Sequence, residues 1–151
     1  MEQKSAIGRV RIYNSAFKER GREGVVMWDV LPIQDGERIK VIFESASSPW
    51  QQGVWLQTDK GLEVDGLHCA SVELWMNTAP QEVICECFTD DGFLSVYNIW
   101  DSGRGYGTES QAWSSGMLIE ESLNGRRYHC NDIGFETSFD KLVFRIERVR
   151  E

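Results

Sequence analysis

The sequence contains no apolar run long enough to cross a membrane, which takes about 20 consecutive apolar residues. Its longest apolar runs are only a few residues. The first ten residues carry Lys4 and Arg9 but lack the apolar segment of a secretory signal. These absences predict a soluble domain that stays in the cytoplasm.

Positive charge is also scarce. The chain has 16 Lys and Arg residues and 24 Asp and Glu residues, which gives a net charge of −8. Nucleic-acid binders need a basic surface to displace counterions from phosphates. The two basic clusters are 18–22, which includes Glu19, and Arg126-Arg127. We expect the first to be a solvated loop and no nucleic acid to be bound.

Recognisable catalytic motifs are missing as well. The sequence has no Gly-x-Ser-x-Gly elbow, no His-Glu-x-x-His and no Walker loop. We therefore predict a domain without catalysis. The alternative is a small carbohydrate hydrolase with a carboxylate pair, drawn from the strand-borne candidates Glu44, Glu73 and Glu86.

Metal-ligand spacing is weak although the ligand types are present. The two histidines and four cysteines are His68, Cys69, Cys85, Cys87, His129 and Cys130. Structural zinc sites use Cys-x₂₋₄-Cys pairs on loops, whereas one residue separates Cys85 from Cys87 within a predicted strand. The acidic candidates for calcium, Asp90, Asp91, Asp101 and Asn131-Asp132, do not follow the spaced loop pattern either. We expect buried reduced thiols, no cofactor and no metal, with zinc left open as an alternative.

What the sequence does contain is apolar alternation with a period of two, which is typical of β-strands. About ten strands are predicted, beginning with Val10 to Ile12 and ending with Leu142 to Ile146. Tight turns are predicted at Asp35-Gly36, 58–61, 89–92 and Asn124-Gly125, each read as a hairpin because glycine accepts a positive φ. Between residues 15 and 24 two glycines favour a loop, and a helical turn is the alternative.

Many short strands joined by tight turns indicate an all-β domain. We predict that residues 1–151 form one antiparallel β-sandwich of the jelly-roll kind. A closed up-and-down β-barrel is the alternative. The two differ in where a ligand would bind, because a barrel holds it inside and a sandwich binds it on a face or in end loops.

Residues 100–116 interrupt the alternation with a glycine-rich loop between Trp100 and Trp113. Long loops in compact domains often carry function. Aromatic rings can stack on a sugar, and polar neighbours can bind its hydroxyls. The predicted ligand-binding residues are Trp100, Trp113, Arg104, Tyr106, Asn98, Asp101 and Gln111. We expect this loop to bind a carbohydrate or a protein surface, and the oligomeric state stays open.

Overall fold

The computed structural model describes residues 8–135 and 138–150. Within them the chain forms eleven strands and one short helix. In chain order these are β1 Ile12–Tyr13, α1 Ser15–Glu19, β2 Val26–Pro32, β3 Glu37–Ser45, β4 Gln51–Val64, β5 Leu67–Trp75, β6 Glu82–Cys87, β7 Phe93–Asp101, β8 Glu109–Ser110, β9 Gly116–Ser122, β10 Gly125–Asn131 and β11 Leu142–Arg148.

Eight of the strands close into an antiparallel barrel. Around the wall the order is β2, β9, β10, β11, β3, β6, β4 and β7, and β7 returns to β2 through the pair Asp29↔Val96. The all-β class is confirmed, and the closed barrel is the architecture observed in place of the preferred jelly-roll sandwich. Strands β9 to β11 follow one another up and down, whereas the other wall neighbours are not consecutive in sequence.

The barrel interior is packed with apolar side chains rather than hollow. Alternate residues of β11, Leu142, Phe144 and Ile146, are fully buried, and the rings of Tyr128 and Phe144 stack at 4.7 Å. Burial of such side chains contributes about 1.5 to 3 kcal/mol each. A ligand therefore has no room in the interior and must bind at the ends or on the outer wall.

Three of the four predicted hairpins are wrong, since β2 does not pair with β3, β4 is a single strand through residues 58–61, and β6 does not pair with β7. The three segments lie side by side instead. The Ile33 N–H donates to the Gly92 carbonyl and the Phe88 N–H to the Gly61 carbonyl. These three glycine-containing segments thus meet at a common corner, where β4 changes partner from β7 to β6.

Two tight connections do join neighbouring strands. Leu123 and Asn124 link β9 to β10, as the Asn-Gly signal predicted. The turn between β4 and β5 is at Asp65 and Gly66, with φ of 51° and 78°, and the sequence interpretation did not identify it. Positive φ at both positions is the type I′ geometry that suits the twist of a two-residue hairpin.

The helical turn near the N-terminus is real, although the sequence favoured a loop. Asn14 caps α1, because its side-chain oxygen accepts from the N–H groups of Ala16 and Phe17. The Nδ2 of Asn14 also donates to the carbonyls of Trp113 and Ser115. The cap thereby fixes α1 to the segment before β9.

A buried charge network occupies the interior beside β2. Asp29 is fully buried and pairs with Arg11 at 2.7 Å and Arg126 at 2.9 Å, and it accepts the Tyr128 hydroxyl at 2.7 Å. Burial alone would lower the pKa of Arg126, but the charges of Asp29, Tyr128 and Glu121 and the hydrogen bond to Asp29 together outweigh burial and raise that pKa. Glu121 lies 2.8 Å from Arg126 and balances the second cation.

Candidate functional site

The glycine-rich loop is a hairpin between β7 and β8, in which Trp100 pairs with Glu109. Glu109 closes it, because its carboxylate accepts from the Ser102 N–H at 3.0 Å and from Arg104 Nη2 at 3.0 Å. The hydrogen bond from the Ser102 hydroxyl is the main cause that lowers the pKa of Glu109. Asp101 accepts from the Gly103 N–H at 2.8 Å. The loop therefore holds Arg104 in a defined place.

Arg104 reaches over the ring of Trp50, with 5.7 Å between its guanidinium carbon and the ring centroid. It also lies 5.2 Å from the ring of Tyr106, which is 71 % exposed. The pairing of β4 with β7 places Gln51 opposite Asp101 and so brings these distant segments together. We call this surface the Trp50 groove, defined by Pro49, Trp50, Gln51, Asp101, Arg104 and Tyr106.

Two adjoining clefts share Pro49, Trp50 and Gln51. One has a volume of about 400 Å³ and is otherwise lined by Ala46, Gln52, Met76 and Asn77. The other, of about 250 Å³, is completed by Asp101, Ser102 and Gly103. The first is mainly apolar and the second offers carboxylate, hydroxyl and backbone groups. Trp50 thus stands between an apolar cleft and a polar one.

The remaining predicted site residues are not part of this groove. Trp100 is fully buried, and Asn98 is buried with its Nδ2 donating to the Asn131 carbonyl. Neither has an exposed group to offer a ligand. Gln111 is exposed, with a φ of 52°, and its predicted role stays a prediction.

Trp113 lies on a different part of the surface. Trp113 is 68 % exposed and its ring packs edge-on against Phe135, while the Arg20 guanidinium carbon lies 3.7 Å from the Phe135 ring centroid and 5.5 Å from that of Trp113. The predicted loop is therefore divided, with Asp101, Arg104 and Tyr106 at the Trp50 groove and Trp113 beside α1. Trp50 was not among the predicted site residues, because no local pattern in the sequence links it to residue 104.

Trp28 belongs to an aromatic cluster on the outer wall with Trp55 and Tyr97. Tyr97 is the cross-strand neighbour of Trp55, and their rings stack at 4.4 Å. Trp28 contacts both at 5.1 and 5.5 Å. Burial raises the pKa of Tyr97. Because Trp55 and Tyr97 cover each other's ring faces and Trp28 lies edge-on to Trp55, this cluster stabilises the wall and offers little face to a ligand.

A third cleft, of about 390 Å³, lies at the corner and is lined in part by Trp28, Asp59, His68, Asp91 and Phe93. Its carboxylates already have partners. Asp59 accepts from the Thr89 hydroxyl at 2.7 Å and from the N–H groups of Asp90 and Asp91. Burial alone would raise the pKa of Asp59, but these hydrogen bonds outweigh it and lower that pKa. These carboxylates tie the corner together.

The metal candidates do not converge. In the part of the chain that the structure describes, no three His, Cys, Asp or Glu side chains are placed to hold a metal ion. Cys85 and Cys87 point into the core, where burial raises the pKa of each thiol to about 12. His129 lies on the outside, 3.3 Å from Glu120.

Thiol reactivity gives a direct test of this interior. We expect a maleimide reagent to label the native protein once, at the half-buried Cys69, because Cys85, Cys87 and Cys130 are buried and a thiol must ionise to react. All four cysteines should react in denaturant, as counted by mass spectrometry. A Cys69→Ser variant serves as the control and should take up no label when native. Labelling of the native variant would contradict the packed interior.

Comparisons with known proteins add no assignment: no family model matches the chain, and neither a curated protein nor a solved structure is significantly similar to it. Among residues 8–135 and 138–150 there is no helix long and apolar enough to cross a membrane. Any functional conclusion therefore depends on the geometry of the surface.

Proposed function

We propose that this domain recognises a carbohydrate, without catalysis, at the Trp50 groove. The observation that carries the proposal is the position of Trp50 between an apolar and a polar cleft. A pyranose has an apolar face that stacks on an aromatic ring, and its hydroxyls need polar partners at the edges. Asp101, Gln51 and Arg104 supply such partners on one side of Trp50.

The groove is also well suited to binding because it is formed before a ligand arrives. Glu109 and Ser102 hold Arg104 in place, and Pro49 restricts the backbone beside Trp50. Preformed sites lose less conformational entropy on binding. The four cysteines are free, which fits a reducing compartment, and a cytoplasmic location is part of the proposal.

A hydrolase is less well supported. The three candidate carboxylates lie on different strands, Glu44 on β3, Glu73 on β5 and Glu86 on β6. Glu44 is paired with Arg127 at 2.8 Å and with Arg145 at 3.1 Å. A pair for glycoside hydrolysis needs two carboxyl groups about 5 to 9.5 Å apart across a sugar, and Glu44 in particular is committed to the two arginines.

The test is a titration of the protein with cello-, xylo-, malto- and chito-oligosaccharides, followed by tryptophan fluorescence and calorimetry. We expect at least one of these oligosaccharides to bind. Trp50→Ala should weaken its affinity by about 30-fold or more, because truncating an aromatic residue at the centre of a site removes about 2 kcal/mol of binding free energy. Unchanged recovery of the sugar would separate binding from hydrolysis.

Trp113→Ala is the matched control, because it removes an even more exposed tryptophan away from the groove. It should leave the sugar affinity within about twofold, a difference below about 0.5 kcal/mol. The proposal fails if no oligosaccharide binds at concentrations up to about 10 mM, which would mean a binding free energy weaker than about 3 kcal/mol. It also fails if Trp50→Ala binds the sugar as well as the wild type does.

A further inference from the structure

The barrel leaves one long strand with a free edge. β5 pairs with β4 on one side, and within the described residues no other strand pairs with it. The other strands outside the ring, β1 and β8, are two residues long. A free edge presents unpaired backbone N–H and C=O groups that favour pairing with another strand.

Nothing in β5 protects this edge. Proteins discourage edge pairing with lysine, proline or bulges, and the nine residues Leu67–Trp75 contain no Lys, Arg or Pro. The irregularity in the β4–β5 pairing lies in β4, which has four residues between Gln57 and Leu62 where β5 has only one, between Cys69 and Ser71. In addition Leu67 is 69 % exposed at one end of the strand. β5 is thus regular and capable of pairing over its full length.

We propose that β5 is a dimerisation edge and that its partner is β5 of a second copy of this chain. A two-fold axis perpendicular to the sheet keeps each side chain on the same face of the sheet. Because side chains alternate between the faces, two residues that pair across the axis must both have odd numbers or both have even numbers. Full overlap of the nine residues then centres the axis on Ser71. Leu67 of each copy faces Trp75 of the other, which buries two apolar pairs.

The charges agree with this register. Glu73 is the single acidic residue of β5, and centring on Ser71 places it opposite Cys69 of the other copy. An axis at residue 73 would set the two Glu73 side chains directly opposite each other, which is unfavourable, and would shorten the overlap. An axis at residue 69 would leave only five residues paired. The register at Ser71 is the one that pairs all nine residues of β5 and keeps the two Glu73 side chains apart.

Sedimentation velocity at protein concentrations of about 1 to 200 µM tests the proposal. This range brackets the dissociation constant expected of a dimer with a small interface. The wild type should change from the monomer mass of 17.3 kDa to twice that value. Ser71 is exposed, so Ser71→Lys and Ser71→Glu should each fold normally by circular dichroism. Each should stay monomeric, because like charges then face each other at the axis.

Mixing the two variants supplies the decisive result. Ser71→Lys and Ser71→Glu together should form a heterodimer, since the charges at the axis are now opposite. Leu123→Lys adds the same charge at a fully exposed turn and should dimerise as the wild type does. The proposal is overturned if the wild type stays at 17.3 kDa at the highest concentration, if Ser71→Lys still dimerises, or if the mixture stays monomeric.

Discussion

Replacing Asp29 with asparagine is expected to lower the free energy of unfolding by about 3 to 5 kcal/mol. Asp29 is fully buried and carries the negative charge between Arg11 and Arg126. The variant keeps the size of the side chain, so it leaves no cavity. The two guanidinium groups lose the carboxylate that offsets their desolvation, and an uncompensated buried charge is costly.

Asp90→Asn is the matched control because it makes the same chemical change in an exposed ion pair. Asp90 lies 3.1 Å from Lys60, and both side chains are more than half exposed. Exposed ion pairs contribute about 0 to 1 kcal/mol. Urea denaturation of both variants measures the two effects. Losses of similar size would show that the Asp29 network does not stabilise the barrel as argued.

Gly125→Ala is expected to destabilise the protein by about 3 kcal/mol or more, at the upper end of overpacking effects. A methyl group at this position would stand 1.8 Å from the Ile146 carbonyl oxygen. Both atoms belong to the backbone-paired strands β10 and β11, so no side-chain rotation can relieve the clash. The strands would have to separate at the place where β10 begins.

Gly105→Ala separates this steric effect from glycine's conformational freedom. Gly105 has a φ of 89°, and an added methyl group would meet nothing within 4 Å. The left-handed conformation should cost about 1 to 2 kcal/mol. Thermal or urea unfolding should therefore rank Gly125→Ala as the more damaging change. The reverse order, or equal losses, would contradict the close approach of β10 to β11.

The corner explains why local sequence signals misled the topology. Asp35-Gly36, 58–61 and 89–92 all have the composition of a tight turn, but the chain turns only at the first and the third, and 58–61 stays within β4. Glycine composition reports that a backbone needs a positive φ, but it does not report which strands become neighbours. The Asn124-Gly125 signal was correct because there the two flanking strands pair.

The candidate site was predictable in part for the same reason. The break in alternation after Trp100 correctly marked a loop, and it contributes Asp101, Arg104 and Tyr106 to the groove. Trp50 joins them only through the pairing of Gln51 with Asp101. Trp100 and Trp113 have equally suggestive positions in the sequence, yet one lies in the core and the other beside α1.

The sequence by itself determined the all-β class, because a period of two in apolar residues buries one face of each strand. It also indicated the turns at Asp35-Gly36 and Asn124-Gly125 and the burial of Cys85 and Cys87. Closure of the barrel, the free edge of β5 and the meeting of Trp50 with Arg104 were decided by the tertiary structure. Strand pairing joins residues far apart in the chain, and a periodic pattern fits many partners equally well.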